Sequence, residues 1–236
     1  MTEHRLDPLL KPQSMALMGA TAREGAPGHI LADMVMRSKY CGNVYPINPR
    51  YDEILGKRCY AGLDDLPETV HHVVIALGDS GLEAALEKVI AHGAKAATIY
   101  ASGVLEQDTE PRLRRRLHRM ISESGLLVCG INGMGFYNVV DHVHAGIFPR
   151  QQDVLCGGIA HIAQSGSAFT ALSHNGYRLG FNLAVSTGDE ISVTAADYMD
   201  WALEQPETQV ISLFLETVRN PEHFVACLAR ARESRI

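Results

Sequence analysis

The chain has 236 residues, of which 46% are hydrophobic and 20% charged, and its formal net charge is −6. This length exceeds that of a typical single domain and predicts two domains. The acidic balance argues against a nucleic-acid-binding protein, which needs a clustered basic face, and no apolar run is long enough to predict a membrane span.

In the first half of the chain, short apolar runs rich in β-branched residues alternate with helical stretches. Strands are predicted at 15–18, 44–47, 73–77, 96–101 and 126–129, and helices at 27–39, 81–92 and 110–124. The basic residues between 112 and 119 are interpreted as the polar face of the third helix. This alternation predicts βαβ units and a parallel sheet over residues 1–135.

Residues 136–153 interrupt the alternation and are predicted to be a connector. A second domain is then expected over residues 154–236, with strands at 159–163, 181–186 and 209–215 and helices at 167–174 and 191–204. Asn220-Pro221 is a good start for a last helix, with asparagine as the cap. About three strands are fewer than an open α/β sheet usually has, so the second domain is expected to be a truncated part of something longer.

Five widely spaced cysteines, without a C-x-x-C pair, are typical of reduced thiols in a cytoplasmic protein rather than of a disulfide framework. The N-terminus has no apolar stretch of the kind that directs export. No metal site is expected either, because His142 and His144 lack a third ligand at a suitable spacing.

Two strand-to-helix turns in this chain are suited to holding phosphate. The first elbow comprises residues 18–28 and the second elbow comprises residues 163–167, each directly after an apolar strand. Such a turn points free backbone N–H groups at one spot, and the helix dipole favours negative charge there. Two elbows suggest a protein that brings together a nucleotide-like cofactor and a separate phosphoryl group.

The first elbow does not follow the dinucleotide-binding spacing, since Gly19 and Gly25 stand too far apart. The informative position is the end of the second strand, where an NAD-binding fold usually has an acidic residue for the ribose. This chain has Asn48-Pro49-Arg50 there, and a cation predicts a ribose that carries phosphate, as in NADP or coenzyme A. The alternative that Arg50 is merely a solvated loop residue stays open.

Two later strand ends, Ser102-Gly103 and residues 130–135, are expected to reach the same crevice, because parallel sheets bind ligands at their carboxyl edge. Small residues there let an extended ligand lie close to the backbone, as a pantetheine arm requires. The sequence offers no evident acid or base for a nicotinamide.

The ordered motifs resemble the NDP-forming acyl-CoA synthetases, relatives of the succinyl-CoA synthetase alpha subunit. Those enzymes make an acyl-CoA from an acid, coenzyme A and a nucleoside triphosphate through a phosphohistidine. The resemblance covers nearly the whole chain in the same order, at 19–28, 44–49, 100–106, 130–132, 163–166, 186–189 and 215–224. It implies a Rossmann-like CoA-binding domain followed by a truncated flavodoxin-like domain.

The resemblance also implies roles for individual residues. The adenosine phosphates of coenzyme A would be held by Gly19, Ala20, Thr21, Arg23, Gly25, Gly28, Asn48, Pro49 and Arg50, and the arm would pass Ser102, Gly103 and Asn132. The phosphate of the phosphohistidine would lie against Gln164, Ser165, Gly166 and Ser167. Glu216 would orient that histidine, and a carboxylate that accepts the second imidazole N–H does fix the tautomer.

This sequence departs from the family pattern at two places. Gly130-Ile131-Asn132-Gly133 stands where the family has Gly-Pro-Asn-Cys, and Leu77-Gly78-Asp79 lacks the expected proline. Both departures concern the path of the arm and the identity of the acyl substrate, which the sequence does not specify.

The phosphorylated histidine of the family would lie beyond Ile236. Ser173-His174-Asn175-Gly176 imitates that loop but falls at the end of a helix. The chain alone is therefore expected to bind coenzyme A and a small carboxylic acid without turnover. ATP and Mg²⁺ are expected only with a nucleotide-grasp domain, in a C-terminal region or a beta subunit that also carries the histidine.

Two other functions remain open at this point. One is a non-catalytic module that senses coenzyme A or acyl-CoA, and the other is an NADP-binding reductase. The resemblance also leaves a homo-oligomer open.

Overall fold

The first sheet has five parallel strands in the order β2-β1-β5-β6-β7. The computed structural model describes residues 3–147 and 154–236. After a short helix α1 (Asp7–Leu10), the strands in chain order are β1 (Ser14–Met18), β2 (Asn43–Ile47), the small hairpin β3 (Glu53–Ile54) and β4 (Lys57–Arg58), β5 (His72–Ile75), β6 (Ala96–Ile99) and β7 (Leu127–Gly130).

Helices cover this sheet, which explains why its strands read as continuous apolar runs. They are α2 (Pro27–Arg37), α3 (Asp79–His92) and α4 (Leu113–Ser124). All residues of β1 are buried, including Met15 and Leu17. Each helix turns one apolar side to the sheet, as Leu117 and Ile121 do in α4, while its basic residues remain on the outer side.

The second sheet also has five strands, in the order β12-β10-β11-β8-β9. They are β8 (Gly135–Asn138), β9 (Val143–Gly146), β10 (Cys156–Ala163), β11 (Phe181–Ser186) and β12 (Val210–Phe214). The last three are parallel, and β8 runs antiparallel to β11. The helices α5 (Gly166–Ser173), α6 (Ala195–Leu203) and α7 (Pro221–Ser234) follow β10, β11 and β12. The predicted order, a Rossmann-like sheet domain followed by a flavodoxin-like α/β domain, is confirmed.

The predicted connector over residues 136–153 is wrong over its first part, since β8 and β9 form a hairpin of the second sheet there. These strands are short and contain polar residues, which the sequence alone does not show to be buried. In the structure the polar side chain of Asn138 is buried because it finds hydrogen-bond partners. Asn138 is buried, and its amide donates to Leu10 O at 2.9 Å and to Asp141 Oδ2 at 2.8 Å. Residues 148–153 lie outside the described residues, and the predicted outer limits, 1–135 and 154–236, stay predictions.

Helix starts differ from the sequence prediction where a cap decides them. Helix α6 begins at Ala195 instead of Ile191, because Thr194 forms a capping box with Asp197. The predicted cap of α7 is confirmed, since the Asn220 side chain accepts from His223 N at 3.2 Å.

The two sheets share an apolar core and several hydrogen bonds. Leu17 and Leu31 from the first half belong to the same buried cluster as Phe136 and Leu183 from the second. The loop after β11 also binds β7, where Ser192 Oγ accepts from Val128 N at 2.8 Å. These contacts fix the second elbow relative to the first sheet.

All five cysteines are unpaired in the structure. No helix of the described ranges is both long and apolar enough to cross a bilayer.

Candidate functional site

A crevice opens at the carboxyl ends of β1, β2 and β5. The strand order changes direction at β1, and open α/β sheets bind ligands at such switch points. The crevice consists of two adjoining cavities of about 480 and 350 Å³, both of which are lined by Gly19, Asn48 and Arg50. The first elbow therefore faces an enclosed space of the kind that takes a nucleotide.

Two glycines shape the first elbow because no side chain fits where they lie. Gly19 has φ +90°, and a Cβ there would approach Ala76 O to 2.7 Å. A Cβ on Gly28 would lie 2.0 Å from Gly19 O. The start of α2, with Pro27 at its first position, is thus packed directly against the end of β1. Pro27 has no N–H, and His29 N and Ile30 N both donate to Ala26 O, at 2.9 and 3.0 Å, so Gly28 N is the donor of this first turn that is left for a ligand.

Tyr51 and Asn48 hold the elbow in shape. Tyr51 Oη lies 3.0 Å from Thr21 Oγ1, and Thr21 Oγ1 accepts from Arg23 N at 3.2 Å. Asn48 donates to Ala20 O at 2.7 Å and accepts from Arg50 N at 3.0 Å. Because each end of its amide makes one of these hydrogen bonds, Asn48 positions both the elbow and Arg50.

The crevice has three cations in its lining and an apolar floor. Arg23, Arg50 and Lys88 line it, and none of them forms a salt bridge within the described ranges. The floor is made of Met18, Ile47, Leu63 and Leu77. Such a surface fits a flat base with phosphates at its edge.

Lys88 was missed by the sequence reasoning. It lies on the same face of α3 as Gly81, Ala84 and Ala85, and all four residues line the crevice. The spacing 81, 84, 85, 88 was readable in the sequence. Its link to the crevice was not, because the contact depends on how α3 packs on the sheet.

Not all predicted coenzyme A residues come together. Gly19, Thr21, Arg23, Gly28, Asn48, Pro49 and Arg50 line the crevice, whereas Ala20 is buried beneath it and Gly25 is exposed in the loop. Ser102 and Gly103 are instead held by Asp79, which accepts from Ser102 Oγ at 3.1 Å and from Gly103 N at 2.5 Å.

Gly103 lines a separate cavity of about 520 Å³, together with three arginines, Arg112, Arg114 and Arg115. Asn132 is exposed, and its amide lies 3.5 Å from Asp189 Oδ1. Asp189 also forms a salt bridge with Arg114. The two strand ends proposed for the arm therefore meet each other, directly where Asn132 N donates to Ala101 O at 2.9 Å and also through Asp189, but neither lines the crevice.

The second elbow starts a helix as predicted. Ser165 is the N-cap of α5, and its Oγ accepts from Ala168 N at 3.3 Å. Gln164 spans the space between two strand ends, with its carbonyl oxygen accepting from Glu216 N at 2.7 Å and Thr217 N at 2.9 Å. The carboxylate of Glu216 is on an exposed residue directly after β12. The elbow thus brings Gln164, Ser165, Gly166 and Ser167 to the same edge of the sheet as Glu216.

A carboxylate that the sequence reasoning passed over lies beneath this elbow. Glu190 is buried, and its Oε1 accepts from Gln164 Nε2 at 2.9 Å, Thr187 Oγ1 at 3.1 Å and Ala195 N at 3.1 Å. Burial raises the pKa of the Glu190 carboxyl, while these hydrogen bonds and the charge of Arg219 act in the opposite direction.

His174 is the C-cap of α5, at the far end of the helix from the elbow, which agrees with its interpretation as an imitation of the family's loop. Within the described ranges, metal-ligand side chains gather elsewhere, at Asp200 with His223 and Cys227 and at His4 with Asp200 and Glu204. Asp200 is already paired with Arg230 there.

Comparison with known proteins shows the family to which the chain belongs. Residues 13–132 match the family described as CoA binding domain, and residues 156–236 match the succinyl-CoA ligase like flavodoxin domain. The chain belongs to the CoA-binding domain family. This CoA-binding protein carries the first elbow, Arg50 and the crevice within the part that defines the family.

Curated relatives of this CoA-binding protein are CoA ligases. It is 29% identical to trans-feruloyl-CoA synthase FCS1 of an unknown prokaryotic organism, over 98% of the chain and 33% of that relative. It is 28% identical to ADP-forming acetate–CoA ligase II of Archaeoglobus fulgidus, over 92% of the chain and 33% of that enzyme. The chain thus spans about a third of the length of these relatives and matches their CoA-binding portion.

A solved structure agrees with this placement. The CoA-binding protein superposes on the Ca. Korarchaeum cryptofilum dinucleotide forming acetyl-coenzyme A synthetase 1, determined with phosphate and ADP, with a TM-score of 0.88 and 29% identity. The match covers 95% of this chain and 49% of that one. The resemblance to ADP-forming acyl-CoA synthetases inferred from the motifs is confirmed.

Proposed function

We propose that this chain is the CoA-binding part of an ADP-forming acyl-CoA synthetase. The observation that carries the proposal is the crevice at the switch point, where the first elbow meets the unpaired cations Arg23, Arg50 and Lys88. Coenzyme A offers what this surface requires: a flat base for the apolar floor, a pyrophosphate for the elbow and a ribose phosphate for Arg50.

The full enzyme would convert an acid, coenzyme A and ATP into acyl-CoA, ADP and phosphate. A histidine outside this chain would carry the phosphoryl group, and the second elbow, Gln164 to Ser167, would hold that phosphate at the start of α5. Glu216 would accept the imidazole N–H, which makes the opposite nitrogen the better nucleophile. The residues of this chain would thereby bind the phosphate, orient the histidine and fix which imidazole nitrogen carries the proton. The transferred phosphoryl group would come from ATP, outside this chain.

The remaining parts are expected in a nucleotide-grasp domain that binds ATP and Mg²⁺. Such a domain would follow in the same chain or belong to a beta subunit. The second arrangement is supported by the 27% identity to the alpha subunit of ADP-forming acetate–CoA ligase I of Pyrococcus furiosus, of which this chain covers 49%. We expect a cytoplasmic protein, consistent with its free cysteines.

The proposal is tested by calorimetric titration of the chain with coenzyme A and NADPH. We expect saturable binding of coenzyme A and no heat with NADPH, because the residues that form the crevice lie within the part of the chain that matches the CoA binding domain. Binding of NADPH without binding of coenzyme A would replace the proposal by that of an NADP-binding reductase.

A further inference from the structure

Glu190 is unusual because it is a buried carboxylate without a cation bonded to it. Only 6% of the residue is exposed, and its Oε2 has no hydrogen-bond partner among the described residues. Its other oxygen accepts three hydrogen bonds, from Gln164, Thr187 and Ala195. Burying a carboxyl group is costly, so a residue kept there needs a purpose that an apolar side chain does not serve.

Glu190 bonds to the side-chain amide of Gln164, and the orientation of that amide depends on its neighbours. An amide has two ends of nearly equal shape, one a donor and the other an acceptor, and only its neighbours decide which way it points. Gln164 Nε2 donates to Glu190 Oε1 at 2.9 Å and to Thr217 O at 2.8 Å. With two acceptors on this side, the carbonyl oxygen must face the other way.

On that other side the Gln164 carbonyl holds the chain just after β12. It accepts the backbone N–H groups of Glu216 and Thr217 at 2.7 and 2.9 Å. Hydrogen bonds therefore connect Glu190 to the backbone of Glu216 through Gln164, without a direct contact between the two residues. The connection runs from a buried carboxylate through one amide to the residue proposed to orient the phosphohistidine.

The neighbouring residue anchors Glu190 to the first domain. Asp189 N donates to Ile131 O at 2.9 Å, and the Asp189 carboxylate pairs with Arg114. Glu190 itself has φ +55°, a left-handed conformation that costs energy for a residue with a side chain. In this conformation Asp189 contacts the first domain and Glu190 contacts the second elbow, and these contacts offset the strain.

We propose that Glu190 is a positioning residue of the phosphate site, which fixes the Gln164 amide and through it the strand-end backbone of Glu216. That this positioning serves phosphoryl transfer rests on the proposed function. The positioning of Gln164 and Glu216 by Glu190 involves only residues of this chain and can be tested without it.

The test is amide hydrogen exchange by NMR on the whole chain, with Glu190→Ala and Glu190→Gln. In Glu190→Ala the amides of Glu216 and Thr217 are expected to exchange at least about tenfold faster, because the Gln164 carbonyl is released. Glu190→Gln keeps an acceptor oxygen in place and should retain the protection. Titration with inorganic phosphate should shift the amides of 165–167 in the wild type and in Glu190→Gln, with an affinity at least about tenfold lower in Glu190→Ala.

Thr194→Ala is the matched control. It removes the Thr194 Oγ1 hydrogen bond to Asp197 at the start of α6, directly before the residue whose N–H donates to Glu190, and it does not contact Gln164, so it disturbs the helix start without releasing the amide. Should Glu190→Ala not fold, Glu190→Asp draws the carboxylate back from Gln164 and is expected to give the same faster exchange. Unchanged exchange in both Glu190→Ala and Glu190→Asp, or equal acceleration in Thr194→Ala, would overturn the inference.

The same samples are titrated with coenzyme A. Failure of the wild type to bind it would contradict the proposed function while leaving the exchange result intact. Retained CoA binding with no effect of Glu190→Ala would contradict the positioning role alone.

Discussion

Replacing Arg50 by glutamate is expected to weaken coenzyme A binding by about 100-fold and dephospho-coenzyme A binding by less than about threefold. Arg50 lines both cavities of the crevice and has no salt-bridge partner among the described residues. Its backbone N–H is fixed by Asn48 Oδ1, so the guanidinium starts from a defined point at the rim. A ribose phosphate would be the natural partner of this free cation, and dephospho-coenzyme A lacks only that group.

The measurement is calorimetric titration of wild type and variant with both ligands at one salt concentration. Arg119→Glu, on the exposed side of α4, makes the same change in net charge outside the crevice and should leave both affinities nearly unchanged. Equal losses for the two ligands in Arg50→Glu would show that Arg50 does not read the ribose phosphate.

Much of the fold could be predicted from the sequence, because its signals are local. The strands β1, β5 and β11 consist mostly of apolar residues and are buried over their whole length, and the cap of α7 at Asn220 is a short-range pattern. The hairpin β8–β9 could not be predicted in this way. Its strands have four residues each, and Asn138 is acceptable in a buried strand only because Leu10, far away in the chain, accepts its amide.

In the candidate site, too, the residues that could be predicted are those whose signals are local in the sequence. The first elbow and Arg50 were predictable, since strand, glycines and helix follow one another in the sequence. Lys88 and Glu190 were not, because each reaches its site across elements: Lys88 from α3 into the crevice and Glu190 across to Gln164. Ser102 was assigned to the arm by resemblance, but in this chain Asp79, at the family's proline-containing turn, binds it.

Gly28→Ala is expected to destabilise the protein by about 3 kcal/mol and to weaken coenzyme A binding by at least about tenfold. The added Cβ would lie 2.0 Å from Gly19 O. Because this oxygen belongs to the backbone, the clash is not relieved by a side-chain rotation. Either α2 or the end of β1 must move, and both carry the first elbow. The Gly28 N–H, which is left for a ligand at the start of α2, then changes position, so a phosphate there loses a charge-assisted hydrogen bond.

Urea denaturation gives the stability and calorimetry gives the affinity, with Gly81→Ala as the comparison. Gly81 lies near the start of α3 at the same edge of the sheet, but a Cβ there meets only Leu77 Cδ1 at 4.0 Å. Alanine is the better helix former, so Gly81→Ala should stabilise the protein by up to about 1 kcal/mol. The two substitutions add the same methyl group with opposite expected signs, because only at Gly28 does the backbone of the elbow occupy the space. Stability changes of the same sign and size at both positions would mean that the close approach of α2 to β1 is not what shapes the coenzyme A site.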